Sequence, residues 1–441
     1  MLVSSRKALA GLVFALFCAL SATTTSAQAA PPAPQEVVTG WYRLILELVR
    51  HTSNYSPPVA ARSFAYIGVA SYEAVASGSG SMQSLAGQLN RLKAVPARET
   101  GAAYDDGVIL NTVLELSVSR FFDRTGPTGQ HVMKKMAKRM DDKVSDGVSA
   151  EVAARSRAYG EKLAQAIFDW SATDGGGNVE NMGFPLEYKL SDKPGHWVPT
   201  SLIHQQQFPL LPQWGKVQPL AMPDGAACRL TAPPEFSEKP DSVFYKEANE
   251  VYTTVNGLTD EQRTIARFWS DDPMLSPTPP GHWINIALLV LEQQKADLPT
   301  TTDTLARLGV ALSDAFIGCW DSKFEYDLIR PVTYIKKVID PKWETLLITP
   351  PFPEYPSGHS TQSGAAAAAM THIFGDRLAF DDSTHEADGI KPRHFANFHA
   401  AAEEAAASRL YGGIHFRSAI ERGLEQGECI AKYVNALKTK R

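Results

Sequence analysis

Three segments in the C-terminal part of the chain place cations and histidines at spacings that could serve a single site. In DSKFEYDLIRP, Lys323 and Arg330 stand seven residues apart. That is close to two helical turns, so both would share one face if the segment is helical, and Pro331 would then stop the chain. In YPSGHS, Pro356 suits the first turn of a helix that continues into an alanine-rich run, and Ser357 and Gly358 leave the following amides uncovered. Such a helix start attracts an anion, and His359 stands beside it able to donate or accept a proton. In ASRLYGGIHFRSAIERG, Arg409 and His415 are six apart. On an unbroken helix they would diverge by about 120°, but Gly412 and Gly413 permit a turn that lets both point inward.

Gathered in one buried pocket, Lys323, Arg330 and Arg409 would repel one another severely unless a multiply charged anion neutralised them. This points to a tetrahedral or bipyramidal oxyanion such as phosphate or vanadate. The competing arrangement is a scatter of ordinary surface charges, with Glu325 and Asp327 as local partners at a solvated helix end.

The elements that must position these residues are helical. Trp41, Leu44, Ile45, Leu48 and Val49 form an amphipathic stripe, and further stripes cover 59–76, 106–122, 133–144 and 152–170. Between 173 and 240 the chain is dense in Gly, Pro and polar residues; the rings of His196, Trp197 and Trp214 favour an ordered, packed loop over a linker. Helical periodicity resumes near 241 and covers 260–269, 283–291, 302–321, 362–374, 395–411 and 415–435. Strands are hard to find and no repeat is evident, so the expected class is all-α. The expected organisation is a leader at 1–29, a helical region at 30–172, a loop region at 173–240, and a catalytic helical region at 241–441 that either continues the first or stands apart.

Composition narrows the function. A length of 441 residues allows a sizeable core, and a formal net charge of −5 argues against an obligate nucleic-acid binder. Arg6 and Lys7, the apolar run 8–20 and the small-residue pattern Ala27-Gln28-Ala29 read as a secretory signal cleaved after Ala29, placing the mature chain in the periplasm or outside the cell. Beyond it no apolar stretch reaches the roughly 18 residues of a membrane helix. Cys228, Cys319 and Cys429 then remain, enough for one disulfide and one free thiol, and their spacing matches no zinc pattern.

The order KFEYDLIRP from Lys323, PSGH from Pro356 and SRLYGGIH from Ser408 resembles the vanadium-dependent haloperoxidase and type 2 phosphatidic acid phosphatase superfamily, and PGHWVPT and LPQWGKVQPL resemble its soluble bacterial haloperoxidase-like branch. The resemblance implies an all-helical bundle. It makes His415 the axial vanadium ligand, or the nucleophile in a phosphatase. Lys323, Arg330, Ser357, Gly358 and Arg409 would bind vanadate oxygens, or phosphate in the same place, and His359 would be the acid/base. Trp320 matches an aromatic residue on the halide side, and Asp272 an acid pairing with the third cation. Hydrogen peroxide and a halide or small organic molecule would be the substrates, and such members often pair as homodimers. One departure concerns His415: the phosphatase pattern has an acid four residues on, where this chain has Ala419, leaving a main-chain carbonyl to orient the ring. That departure and the lack of membrane spans favour a peroxidase over a secreted phosphatase or a non-catalytic oxyanion binder. Phe416 and Arg417, beside His415, are candidates for tuning halide entry.

Overall fold

The computed structural model describes residues 34–179, 188–201 and 207–441. The expected leader at 1–29 lies outside the described residues. Apolar residues at helical spacing fold as expected: in α1 (Pro34–Arg50), Trp41, Ile45, Leu48 and Val49 are buried on one side. Helices α2 (Pro57–Ala76), α3 (Asp106–Phe121), α4 (Pro127–Val144) and α5 (Ala150–Ser171) follow, then the single turn α6 (Gly176–Val179). The C-terminal part supplies α7 (Val243–Asn256), α8 (Asp260–Phe268), α9 (Thr278–Gln293), α10 (Leu298–Tyr326), α11 (Pro331–Val338), α12 (Gly358–Phe374), α13 (Phe398–Tyr411) and α14 (Arg417–Asn435). Between α12 and α13 lies a small antiparallel ribbon, β1 (Phe380–Asp382) with β2 (Arg393–Phe395), that the sequence did not announce. The architecture is all-α, and among the described residues no helix is long and apolar enough to cross a membrane.

Helix α2 has almost no polar face, because it lies against α10 in the centre of the molecule. Their crossing depends on two glycines. A Cβ on Gly68 would sit 2.7 Å from the Leu305 carbonyl, and one on Gly309 would sit 2.8 Å from that of Phe64, so only hydrogen lets the backbones meet. On the other side of α10, the alanine run of α12 packs against α13 and α14. One apolar core therefore joins residues from both ends of the chain.

The Gly/Pro-rich region is ordered where described, with Trp197 and Trp214 fully buried. Trp197 N–H donates to the Asp327 carbonyl (2.7 Å) and Ile329 N–H to that of Gly195 (2.8 Å), so PGHWVPT clamps the segment between α10 and α11. LPQWGKVQPL is anchored by the buried Asp314, whose carboxylate accepts from the amides of Leu220, Ala221 and Met222 at 2.7, 2.8 and 2.9 Å. Cys228 and Cys429 form a disulfide that ties this region to α14, and Cys319 is a buried free thiol.

Two local expectations are corrected. Lys323 and Arg330 do not share a helix face: α10 stops at Tyr326, Asp327 takes a left-handed conformation (φ 45°), and Pro331 opens α11 instead of ending a helix. Pro356 stands ahead of α12, after a cis Tyr355–Pro356 bond; the N-cap is Ser357, whose Oγ accepts from Ser360 N–H (3.3 Å).

Candidate active site

The last turn of α10, the extended arm before α11, the start of α12 and the α13–α14 turn bring the three cationic segments together. Lys323 is fully buried, and its ammonium donates to the carbonyls of Pro353 (2.9 Å), Glu354 (3.0 Å) and Pro356. All three of its protons are thus engaged. Burial lowers its pKa to about 8. Arg330 is also fully buried; Nε donates to the Phe352 carbonyl (2.8 Å) and Nη1 to that of Ile414 (2.9 Å), while Nη2 has no partner among the described residues. Arg409, at the end of α13, donates from Nη1 to the Trp269 carbonyl (2.9 Å), and its Nε has no partner among the described residues. Burial presses both guanidiniums towards deprotonation; the Glu354 charge opposes this at Arg330 more than the Arg409 charge adds to it, and Asp272 and Asp271 oppose it at Arg409.

Gly412 and Gly413 end α13 as expected, Gly413 at φ 77°, and deliver His415 into the same place. Its Nε2 lies 3.2 Å from Arg330 Nη1, while its Nδ1 lies 2.8 Å from Glu354 Oε1. Phe416 N–H donates to that same oxygen (2.8 Å). Because a carboxylate only accepts, Nδ1 carries the proton and Nε2 keeps its lone pair towards the cations. Burial, followed by the charges of Arg330, Lys323 and Arg409, holds His415 well below the usual imidazole range. Glu354 is wholly buried, which pushes its carboxyl up, while Arg330, Lys323 and the Phe416 amide pull it back towards the carboxylate that the two N–H donors on Oε1 favour.

Glu354 is the residue that sequence reasoning missed. The acceptor absent at Ala419 is supplied from two residues before Pro356, not by a main-chain carbonyl; the Ala419 carbonyl instead takes the Ser357 amide (3.0 Å). The letter was visible in EYPSGH, but its partner is 61 residues away.

His359 stands in the first turn of α12 with Nε2 buried, without a hydrogen bond among the described residues, and 3.9 Å from Asp271 Oδ2. Burial and then the Arg409 charge lower its pKa well below the usual value. Asp272, expected to pair with Arg409, makes no ion pair within 4 Å of it among the described residues, though its charge favours the guanidinium. The neighbouring Asp271 is the buried acid of the pair: its backbone is left-handed (φ 50°), which turns its carboxylate inward.

Of these groups, Asp271, Asp272, His359, Arg409 and His415 line a cavity of about 570 Å³ together with Trp320, Phe352 and Gly358, while Lys323, Arg330 and Glu354 lie behind its wall. Trp320 donates to the Leu210 carbonyl (3.1 Å) and packs against Phe352, their ring centroids 4.9 Å apart. A Cβ on Gly358 would come only within 3.8 Å of Phe316 and Trp320, so the glycine leaves open a space at the mouth of α12. Phe416 and Arg417 do not line this cavity: Phe416 packs on Phe244, and Arg417 forks onto Glu250 at the surface.

Three buried cations solvated chiefly by carbonyls, two of them with unpaired N–H groups, beside an imidazole lone pair, suit an oxyanion with an electrophilic centre. Comparison with known proteins agrees with that chemistry. Residues 303–440 match the family described as the VCPO second helical-bundle domain. The chain is 37% identical to a bacterial vanadium-dependent iodoperoxidase of known structure, with a TM-score of 0.83 over 92% of this chain and 97% of that one. It shares its fold with a bacterial vanadium-dependent chloroperoxidase (TM-score 0.70, 17% identity, 92% of this chain and 96% of that one). It is also 26% identical over 277 residues to the vanadium chloroperoxidase of Curvularia inaequalis, a match spanning 53% of this chain and 45% of that protein.

Proposed function

The chain belongs to the vanadium-dependent haloperoxidases, and we propose that it uses vanadate to oxidise a halide with hydrogen peroxide, releasing hypohalous acid or a halogenated product. One observation carries this reading: Arg330 Nη2 and Arg409 Nε are buried N–H groups without acceptors among the described residues, in the cage where His415 Nε2 presents its lone pair. Arg330, Arg409, Ser357 and the Gly358 amide would hold the oxygens, and His415 Nε2 would be the metal ligand. When bound, vanadate supplies Lewis-acid activation of the peroxide.

The chain's own residues do the rest. Glu354 fixes the His415 tautomer and the direction of its lone pair. Lys323 acts through its charge, since its protons are engaged by carbonyls and donating to an oxyanion would require giving one up. His359, its pKa lowered by burial and then by the Arg409 charge, would take up a proton from hydrogen peroxide and later give it back. Trp320 and Phe352 form an aromatic wall on which a soft, polarisable anion can rest with little desolvation penalty. Iodide is the halide we propose first, being the most readily oxidised and the one named for the 37% identical neighbour. Export through the leader at 1–29 is part of the same proposal, and the Cys228–Cys429 disulfide is in keeping with an oxidising compartment.

A second reading has a specific observation in its favour. Glu354 supplies the carboxylate that a nucleophilic His415 needs, so a phosphomonoesterase, with His359 protonating the leaving group, fits the same geometry. The deciding experiment loads the purified protein with orthovanadate and follows peroxide-dependent iodide and bromide oxidation, with nitrophenyl phosphate hydrolysis measured in parallel. Halide oxidation that needs vanadate supports the proposal. Efficient phosphate release, inhibited by vanadate and without halide oxidation, reverses it.

A further inference from the structure

Next to the oxyanion pocket, and independent of what that pocket does, lies a second cluster of ligating side chains. Asp271 follows α8, His282 lies in the first turns of α9, and the β1–β2 excursion delivers Asp382, His385 and Asp388. Asp271, His282 and Asp382 are buried to 2% exposure or less, and His385 to 6%. Trp269 stacks on the His282 ring and Phe268 meets both imidazoles edge-on, closing the cluster from solvent.

All four ring nitrogens face carboxylates. His282 Nδ1 lies 2.9 and 3.0 Å from the two oxygens of Asp271, and its Nε2 lies 2.7 Å from Asp382 Oδ2. His385 Nε2 lies 3.3 Å from Asp271 Oδ1, and its Nδ1 lies 3.1 Å from Asp388 Oδ2. A ring nitrogen facing a carboxylate either carries a proton or faces it across a cation. The cluster therefore holds either two imidazoliums, with ring centroids 5.2 Å apart and both aimed at one oxygen, or two neutral imidazoles that donate outward and turn their lone pairs to a shared ion.

The arrangement has the marks of the second case. The inward nitrogens and the Asp271 carboxylate converge, with all their donor atoms within 4.8 Å of one another. Their 2.9–3.3 Å separations match adjacent corners of a coordination shell with bonds of about 2.0–2.1 Å. Each outward nitrogen rests on its own carboxylate, as a metal-bound histidine requires. Asp382 is itself held by Thr384 N–H (3.0 Å) and its hydroxyl, and Asp388 by Arg50.

We propose that Asp271, His282 and His385 form a binding site for a divalent first-row transition ion, zinc foremost, with Asp382 and Asp388 orienting the two imidazoles. Two nitrogens and one carboxylate suit zinc better than calcium or magnesium, which favour oxygen shells. The ion would fix Asp271, and through it the wall behind His359, so its role is to hold the active-site face in place.

The test is elemental analysis of the full chain, purified without a histidine tag from zinc-supplemented medium; vanadium is read separately in the same digest. About one zinc per chain is expected after gel filtration. His385→Ala should abolish it, and His394→Ala, a histidine on the exposed face of β2, should leave it unchanged. Asp388→Asn keeps all three ligands and sits at the surface, so it decides the matter even if His385→Ala fails to fold: chelator competition should show zinc affinity about 10–100-fold weaker. The proposal is overturned by less than about a tenth of an equivalent of any divalent transition ion before and after incubation with excess zinc. It is equally overturned by zinc affinity that Asp388→Asn leaves unchanged, or by zinc that disappears with His394→Ala.

Discussion

Replacing Glu354 by glutamine separates what this residue does for His415 from what its charge does to the pocket. The amide oxygen can still accept from His415 Nδ1 and Phe416 N–H, both 2.8 Å from Oε1, so the shape of the contact survives. What changes is its strength: a hydrogen bond to a charged acceptor contributes about 1.5–3 kcal/mol and a neutral one about 0.5–1.5, a difference of roughly 1–1.5 kcal/mol. The imidazole becomes a weaker and less well-directed ligand, so vanadate affinity should fall about tenfold. The lost negative charge works in the opposite direction, because Lys323 and Arg330 are then less neutralised and attract any oxyanion more strongly. That gain is common to all oxyanions, whereas the bond from His415 Nε2 is made only to a metal centre. Calorimetric titration of Glu354→Gln with vanadate and with sulfate should therefore show the vanadate-to-sulfate affinity ratio dropping by about tenfold or more, with sulfate binding unchanged or tighter. A parallel change in both would mean that Glu354 acts by charge alone. No change in either would refute the coupling of Glu354 to His415 altogether.

His359→Ala should reduce turnover about 10²–10⁴-fold while leaving vanadate content near that of the parent protein, as measured by elemental analysis beside the halide assay. Lys323 gives a pH dependence of definite sign: burial holds its pKa near 8 before an anion binds, and a bound anion raises it again. Oxyanion affinity is then level below about pH 8 and falls above it by up to about tenfold per pH unit; sulfate, which does not titrate there, is the probe, and Lys323→Met should flatten the curve. Breaking the disulfide with Cys228→Ser should lower stability by about 2–5 kcal/mol, seen in denaturant titration, because the bridge ties segments 201 residues apart.

The helices and the cationic segments were legible because each is a local pattern: a 3.6-residue stripe, a glycine pair that ends α13, a serine cap at α12. The need for an anion follows from charge, since three cations gathered in one buried pocket repel one another unless an oxyanion neutralises them. Glu354 was not legible, because which side chain meets His415 Nδ1 is decided by how α12 and the α13–α14 turn dock. Asp271 and Asp272 are the same letter side by side, and only the left-handed φ at Asp271 selects which one turns inward. Lys323 and Arg330 do converge, but not through the one helix face that a seven-residue spacing suggests: the PGHWVPT clamp holds the segment after α10 and brings Arg330 in on an extended arm. Strands of three residues, FDD and RHF, are too short for alternation to register, which also hid the cluster they carry.

How the cage is built explains why it stays charged enough to bind. A buried cation paired with a carboxylate is neutralised and has little field left for a ligand. Here the donors are met chiefly by main-chain carbonyls: three for Lys323, two for Arg330 and one for Arg409. Carbonyl dipoles solvate a cation without cancelling its charge, so burial is tolerated while the field of the three remains, and after burial it is the charges of Arg330, Lys323 and Arg409 that hold the His415 pKa down. Rigid loops hold those carbonyls: 352–356 for Lys323 and Arg330, the 412–414 turn for Arg330, and the end of α8 for Arg409. An arriving oxyanion relieves repulsion that the fold has already absorbed and meets N–H groups already aimed. Binding energy is thus stored in the folded chain, and Glu354, whose charge acts on Lys323 and Arg330, directs its hydrogen-bonding oxygen to His415 and the Phe416 amide.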